Sequence, residues 1–176
     1  MRITGGSFVR QPIQAPKGAR TRPTTDRVRE ALFSILASRM ALPGAHVLDA
    51  FAGSGALGLE ALSRGAAHCT FVESHGPTLA LTRRNAATLG VASRSAFVRA
   101  DALKSLTAGD ASFDLILADP PYALRQLAEI PALARARLTP AGLAVVEHDA
   151  RHEFGDAAGH VLSRAYGSTV VSLFEP

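Results

Sequence analysis

Asp119-Pro120-Pro121-Tyr122 sets a carboxylate, two residues without a backbone N–H and an aromatic ring directly after the apolar run Leu115-Ile116-Leu117-Ala118. A buried strand ending there delivers these groups to a cleft. The combination suits one task, gripping a flat ring that carries an amino group. Such an amine is a poor nucleophile because its lone pair is delocalised into the ring. Acceptors on both amine protons push the nitrogen toward tetrahedral geometry and aim the lone pair at an electrophile. Asp119 supplies one acceptor and the Pro120 carbonyl a second. Proline holds the backbone direction, so these acceptors are pre-placed. Tyr122 offers a face for stacking, worth about 1–3 kcal/mol per base in nucleic-acid sites. The set predicts methyl transfer to the exocyclic nitrogen of a nucleobase, with no metal and no covalent enzyme intermediate. The plainer reading is a Pro-rich turn with a helix-capping Asp. It loses ground to a second motif 66 residues upstream, measured from Gly53 to Asp119.

That motif is Asp49-Ala50-Phe51-Ala52-Gly53-Ser54-Gly55-Ala56-Leu57-Gly58, in which Gly53 to Gly58 match G-x-G-x-x-G. Glycines in this pattern permit a tight turn, close backbone approach to a ligand and close helix–strand packing. By itself the pattern does not separate nicotinamide, flavin and S-adenosylmethionine sites. Two acids do. Asp49, at the mouth of the turn, repels a pyrophosphate but favours a sulfonium cofactor bearing an amino-acid ammonium; Asp101 can accept from an adenine amino group. Glu73 can accept both hydroxyls of a ribose, which all three cofactors offer. Asp49, Glu73, Asp101 and Asp119 all fall at or near expected strand carboxyl ends, where open α/β sheets bind ligands. Four acids in one crevice make a cation site, although each could instead cap a helix or loop. The expected cofactor set is Asp49, Ala50, Phe51, Gly53, Ser54, Gly55, Glu73, Asp101 and Ala102.

The elements that must position these groups alternate along the chain. Residues 1–23 read as irregular or hairpin-like, with Gly5-Gly6 as a turn, and a helix follows Thr24-Thr25 with Val28, Leu32, Ile35 and Leu36 on one face. Arg27 and Glu30 fall outside that stripe, and Pro43-Gly44 stops it. Strands are expected at 46–49, 68–73, 96–99, 114–118 and 143–147, and helices at 56–63, 77–89 and 126–137, the last perturbed by Pro131. Such β-α-β alternation predicts a parallel sheet covered on both faces. Val161–Tyr166 and Thr169–Phe174 flank Gly167-Ser168 and read as a closing antiparallel hairpin.

A chain of 176 residues, 47% apolar, suffices for one domain with its own core. No apolar run approaches the ~18 residues of a membrane span, and no signal peptide is expected. The single cysteine, Cys69, excludes an internal disulfide and fits a reducing cytoplasm. Charge is uneven: residues 1–39 hold eight basic and two acidic groups, while the whole chain carries only +4. A basic arm on a mildly acidic body suggests a polyanion at one end and different chemistry at the other. A plain Arg-rich composition is the alternative. His148 and His152 lack the H-E-x-x-H pattern, so no metal site is expected. Phe8 and Phe33 read as packing residues.

On these residues the chain resembles the bacterial 16S rRNA (guanine(966)-N(2))-methyltransferases almost end to end. The resemblance rests on Arg2-Ile3-Thr4-Gly5-Gly6, on Thr21 through Phe33, on Asp49 through Gly65, on the segment ending in Glu73, on Asp119 to Tyr122 and on Arg164 through Thr169. Within it, Arg22 to Glu30 is the most family-specific stretch. It implies a single Rossmann-like class I methyltransferase domain: a mostly parallel seven-stranded sheet, helices on both faces, a C-terminal antiparallel hairpin and a short basic N-terminal extension. Residues 1–44 would form the RNA-contacting arm and helix, and 45–176 the methyltransferase domain. The implied donor is S-adenosylmethionine, giving S-adenosylhomocysteine. The implied acceptor is N2 of one guanine of 16S rRNA, in a small ribosomal subunit or assembly intermediate. Asp119, Pro120 and Tyr122 would be catalytic, and Arg20, Arg22, Thr24, Arg27, Arg29 and Pro121 would meet the RNA. A cytoplasmic monomer without membrane contact is expected. His75 departs from the family, where an aspartate is common two residues after the Glu73 position.

Two alternatives stand beside this. A DNA amino-methyltransferase acting on adenine N6 or cytosine N4 shares the acidic-Pro-Pro-aromatic grip but generally needs a sizeable target-recognition region. A non-catalytic RNA-binding protein could keep the fold but would need neither Asp119 nor Tyr122.

Overall fold

The computed structural model describes residues 1–16, 26–109 and 111–176. Strands β1 (His46–Asp49), β2 (His68–Val72), β3 (Ser95–Val98), β4 (Phe113–Ala118), β5 (Leu138–Asp149), β6 (His160–Tyr166) and β7 (Thr169–Phe174) form one sheet ordered β3-β2-β1-β4-β5-β7-β6. The first five are parallel, and β7 runs antiparallel between β5 and β6. The α-helices among the described residues are α1 (Asp26–Ala37), α2 (Ala56–Ser63), α3 (Gly76–Thr88), α4 (Ala102–Thr107) and α5 (Ile130–Arg135). This is the expected fold class.

Alternate residues of a strand face opposite ways, so each strand feeds two cores. Val47, Leu115 and Leu117 join Leu32, Phe33, Leu59, Leu62 and Phe71 on one side of the sheet. Leu48, Ile116 and Ala118 join Leu106, Ile130, Phe154 and Phe174 on the other. Covering both faces explains why the central strands read as unbroken apolar runs.

Three elements differ from expectation. β5 starts at Leu138, not 143: Leu138 pairs with Phe113, and an irregularity before Leu115 absorbs the exposed Pro140-Ala141. The helix expected over 126–137 is a 3-10 turn, Leu127–Glu129, followed by α5, with Pro131 in the first turn, where its missing N–H is no loss. Helix α4 was not expected. It is only six residues long, too short for a periodic signal, and is capped by Asp101.

The N-terminal clip is hairpin-like. Ile3 N–H donates to the Gln11 carbonyl (2.9 Å) and Ile13 N–H to that of Met1 (3.1 Å), with Ile3 and Ile13 buried in the first core. The clip, α1 and α2 meet at Glu60, which is fully buried. Its carboxylate accepts from Thr4 N–H (2.8 Å), Thr4 Oγ1 (2.8 Å), Arg29 Nε (3.3 Å) and Arg64 Nε (2.8 Å). Arg29 also bonds Asp26 and the Arg2 carbonyl. The expected RNA contact at Arg29 is therefore corrected. Its side chain is wholly buried and committed to this network, because its helical position faces α2 rather than solvent. Arg27, on the other face of α1, is exposed as expected. Arg20, Arg22 and Thr24 lie outside the described residues.

Candidate active site

The strand order puts the two motifs together. The chain leaves β1 toward β2 and β3 on one side, then returns to add β4 and β5 on the other. The crevice above the β1–β4 pair is a topological switch point, where open α/β sheets hold ligands. Asp49 is in register with Leu117, so Asp119 lies just past it on the neighbouring strand.

The glycine turn has the expected geometry. Gly55, at φ +81°, precedes α2, and a Cβ there would lie 2.6 Å from Thr82 Cγ2. A Cβ at Gly58 would come within 2.6 Å of Cys69 Sγ, so only glycine lets α2 rest on β2. At Gly53 the nearest atom to such a Cβ is 3.9 Å away, leaving the backbone open to a ligand. The turn is held from beneath by two residues not singled out in the sequence. Thr82 Oγ1 donates to the Gly53 carbonyl (2.7 Å) and Asn85 Nδ2 to that of Ser54 (2.9 Å). Both sit in the buried stripe of α3 beside Leu79 and Ala86, and a polar residue in an apolar stripe is the signal that marks them. Asn85 also exchanges two 3.0 Å hydrogen bonds with the Gln14 backbone, joining the clip to the turn.

The four acids differ in environment. Asp49 is buried; Oδ2 accepts from Gly58 N–H (3.0 Å), while Oδ1 is a buried oxygen with no hydrogen-bond partner. Burial, opposed by the Gly58 bond and reinforced by the Glu73 charge, raises its pKa to about 7. Glu73 Oε2 accepts from Gly53 N–H (3.1 Å) and Oε1 from His75 N–H (2.8 Å), so His75 supports this carboxylate through its backbone. Each carboxylate oxygen has two acceptor sites, and Ser74 Oγ also reaches Oε1 (3.4 Å), so Glu73 keeps a site on Oε2 for a ribose hydroxyl. Asp101 is exposed and caps α4 through Oδ1, accepting from Lys104 N–H (2.9 Å). Ala102 is the buried first residue of α4. Ala50 is buried with its N–H on the Leu117 carbonyl (2.9 Å), Ser54 is buried, and Phe51 is half-buried. An orphaned buried carboxylate oxygen beside an open glycine backbone fits a cofactor that brings its own cation, as S-adenosylmethionine does.

Asp49 gives the site a definite pH response. From about pH 4 to about 7 the folded protein keeps a proton that the unfolded chain has released, so ligand-free stability should fall as pH rises through that window. A cationic ligand pairs with the ionised form, so its affinity should rise over the same range. Asp49→Asn should flatten both trends while weakening the ligand. Thermal unfolding from pH 5 to 8 with and without the ligand reads them; an unchanged slope in the variant would remove Asp49 from this account.

Beyond β4, Asp119 is partly exposed, Pro120 buried and Pro121 exposed, and Leu124 N–H closes a turn on the Pro121 carbonyl (2.8 Å). Tyr122 is half-buried. Its hydroxyl lies 3.3 Å from Glu147 Oε1 and 3.0 Å from Thr169 Oγ1. Neither partner was anticipated, although Glu147 ends an apolar strand run just as Asp49 and Asp119 do. His148 and His152 are tied to Ser172 and Asp149. Among the described residues no cluster is arranged to hold a metal ion, and no helix is long and apolar enough to cross a membrane.

A family model described as conserved hypothetical protein 95 matches residues 1–175. The chain belongs to that family. Its relatives include a Bacillus subtilis protein provisionally named rRNA methyltransferase YlbH, 34% identical over 99% of this chain and 98% of its own length. Ribosomal RNA small subunit methyltransferase D of Escherichia coli is 41% identical over 122 residues, 69% of this chain and 60% of that protein. The solved structure of yhhF from Escherichia coli, provisionally described as a methyltransferase, superposes with a TM-score of 0.85 at 34% identity, covering 99% of this chain and 96% of that one. The family resemblance read from the sequence is thus borne out.

Proposed function

We propose that this protein transfers a methyl group from S-adenosylmethionine to the exocyclic N2 of a guanine, position 966 by the family resemblance, in 16S rRNA of a small ribosomal subunit or assembly intermediate in the cytoplasm. The observation that carries this reading is the meeting of Asp119-Pro120-Pro121-Tyr122 with the Asp49–Gly58 turn across one switch-point crevice. The choice of small-subunit rRNA is supported by the name of the Escherichia coli relative, and the choice of guanine by the family resemblance.

S-adenosylmethionine supplies a methyl group made electrophilic by its sulfonium. Asp49 meets the ammonium, Glu73 the ribose hydroxyls and Asp101 the adenine amino group, with Ala50, Phe51, Ser54 and Ala102 lining that half. Asp119 accepts a hydrogen bond from one N–H of the guanine amine and the Pro120 carbonyl a hydrogen bond from the other, turning the lone pair out of conjugation. Tyr122 stacks on the extruded base, with Pro121 beside it. The outward face of α1, with Arg27, and the segment holding Arg20, Arg22 and Thr24 provide the phosphate contacts, which makes binding fall steeply with salt.

The test is transfer of labelled methyl from the donor to small-subunit particles lacking the modification, followed by mapping of the nucleotide. One labelled guanine at N2 is the expected result. Label in DNA alone, or in no nucleic acid, would falsify the reading.

A further inference from the structure

We infer that Thr169 and Glu147 are positioning residues for the base-binding ring: together they clamp the Tyr122 hydroxyl, and the C-terminal hairpin is there in part to supply one of them. This rests on the stacking role proposed for Tyr122.

A tyrosine that follows a Pro-Pro turn can swing about χ1 and χ2, whereas a stacking platform needs its plane held before the base arrives. The turn limits the backbone through the Leu124–Pro121 bond but leaves the ring free. The hydroxyl is held separately, at the far end of the ring. It donates to Glu147 Oε1 at 3.3 Å, which uses its single hydrogen, so the 3.0 Å contact to Thr169 Oγ1 has threonine as donor. Burial, together with the charges of Glu147 and Asp119, pushes this phenol up to about 12, so it keeps that hydrogen at any ordinary pH.

The two anchors come from one ladder. Glu147 pairs with Val171 and Asp149 with Thr169 across β5 and β7, so Glu147 and Thr169 stand two residues apart on one face. Thr169 opens β7 directly after the Gly167-Ser168 turn. Glu147 is 4% exposed, so its own rotamers are restricted by packing. An antiparallel hairpin added to the edge of a parallel sheet thus reaches back to the end of β4.

The experiment compares Thr169→Val, Thr169→Ser and Glu147→Gln, alone and with Tyr122→Phe, on small-subunit particles, with donor affinity measured separately. Thr169→Val keeps the shape and β-branching but loses the donor. It should lower kcat/KM for the particle by about tenfold with donor affinity unchanged, the scale of one lost hydrogen bond. Thr169→Ser should stay within about twofold of the parent. In the Tyr122→Phe background Thr169→Val should cost nothing further, because the partner is already gone. A Thr169→Val enzyme at the parental rate, or a full loss that persists without the Tyr122 hydroxyl, overturns the clamp while leaving the methylation reading intact. A parent enzyme that methylates no particle overturns both.

Discussion

Asp119→Ala should lower methyl transfer to small-subunit particles by about a thousandfold and leave donor affinity within a few-fold. The residue lies past β4, across the crevice from the glycine turn that follows β1. The donor's cationic and ribose ends are assigned to Asp49 and Glu73, neither of which needs Asp119. In the proposed mechanism the amine has no comparable substitute: losing the carboxylate leaves only the Pro120 carbonyl, and the lone pair would stay conjugated with the ring. Single-turnover rates with saturating donor, alongside calorimetric donor binding, separate the two effects. A loss of less than about tenfold would mean that Asp119 does not orient the amine.

The second large effect concerns stability. Glu60→Ala should destabilise the fold by about 3–5 kcal/mol, a large share of the roughly 5–15 kcal/mol typical of a domain. Glu60 and Arg29 are both fully buried, so removing the carboxylate takes a buried charged partner from a guanidinium that also bonds Asp26 and the Arg2 carbonyl. It also removes two of the bonds that tie the N-terminal clip to α2, both from Thr4. Glu60→Gln, which keeps one acceptor oxygen and the volume, should cost less. Urea unfolding measures both; equal, small losses would show that the Glu60 carboxylate does not hold the clip and α1 to α2.

Much of the candidate site's arrangement was legible because its residues obey local rules. Gly53-Ser54-Gly55 must follow a strand and open a helix to work at all, and acids at strand ends need only the strand boundary to be placed. Arg29 shows where that reasoning stops. Arg27 and Arg29 differ by two positions, or about 200° around a helix, so one faces solvent and the other a buried carboxylate. Composition treats them alike, and only the identity of the facing helix separates them. Asp101 shows a milder case, because a helix cap and a ligand acceptor use the same side chain and α4 was too short to announce itself.

The sequence by itself determined the alternation of strands and helices, the paired motifs and, through them, the class of chemistry. These follow from side-chain periodicity and backbone constraint within a few consecutive residues. The tertiary structure alone decided that β4 lies beside β1, which brings Asp119 to Asp49, and that Thr169 and Glu147 reach Tyr122. It also decided that Glu60 binds Arg29 across 31 residues of chain. Such pairings depend on which elements pack together, and packing is set by the summed burial of both faces of the sheet rather than by any short stretch of residues.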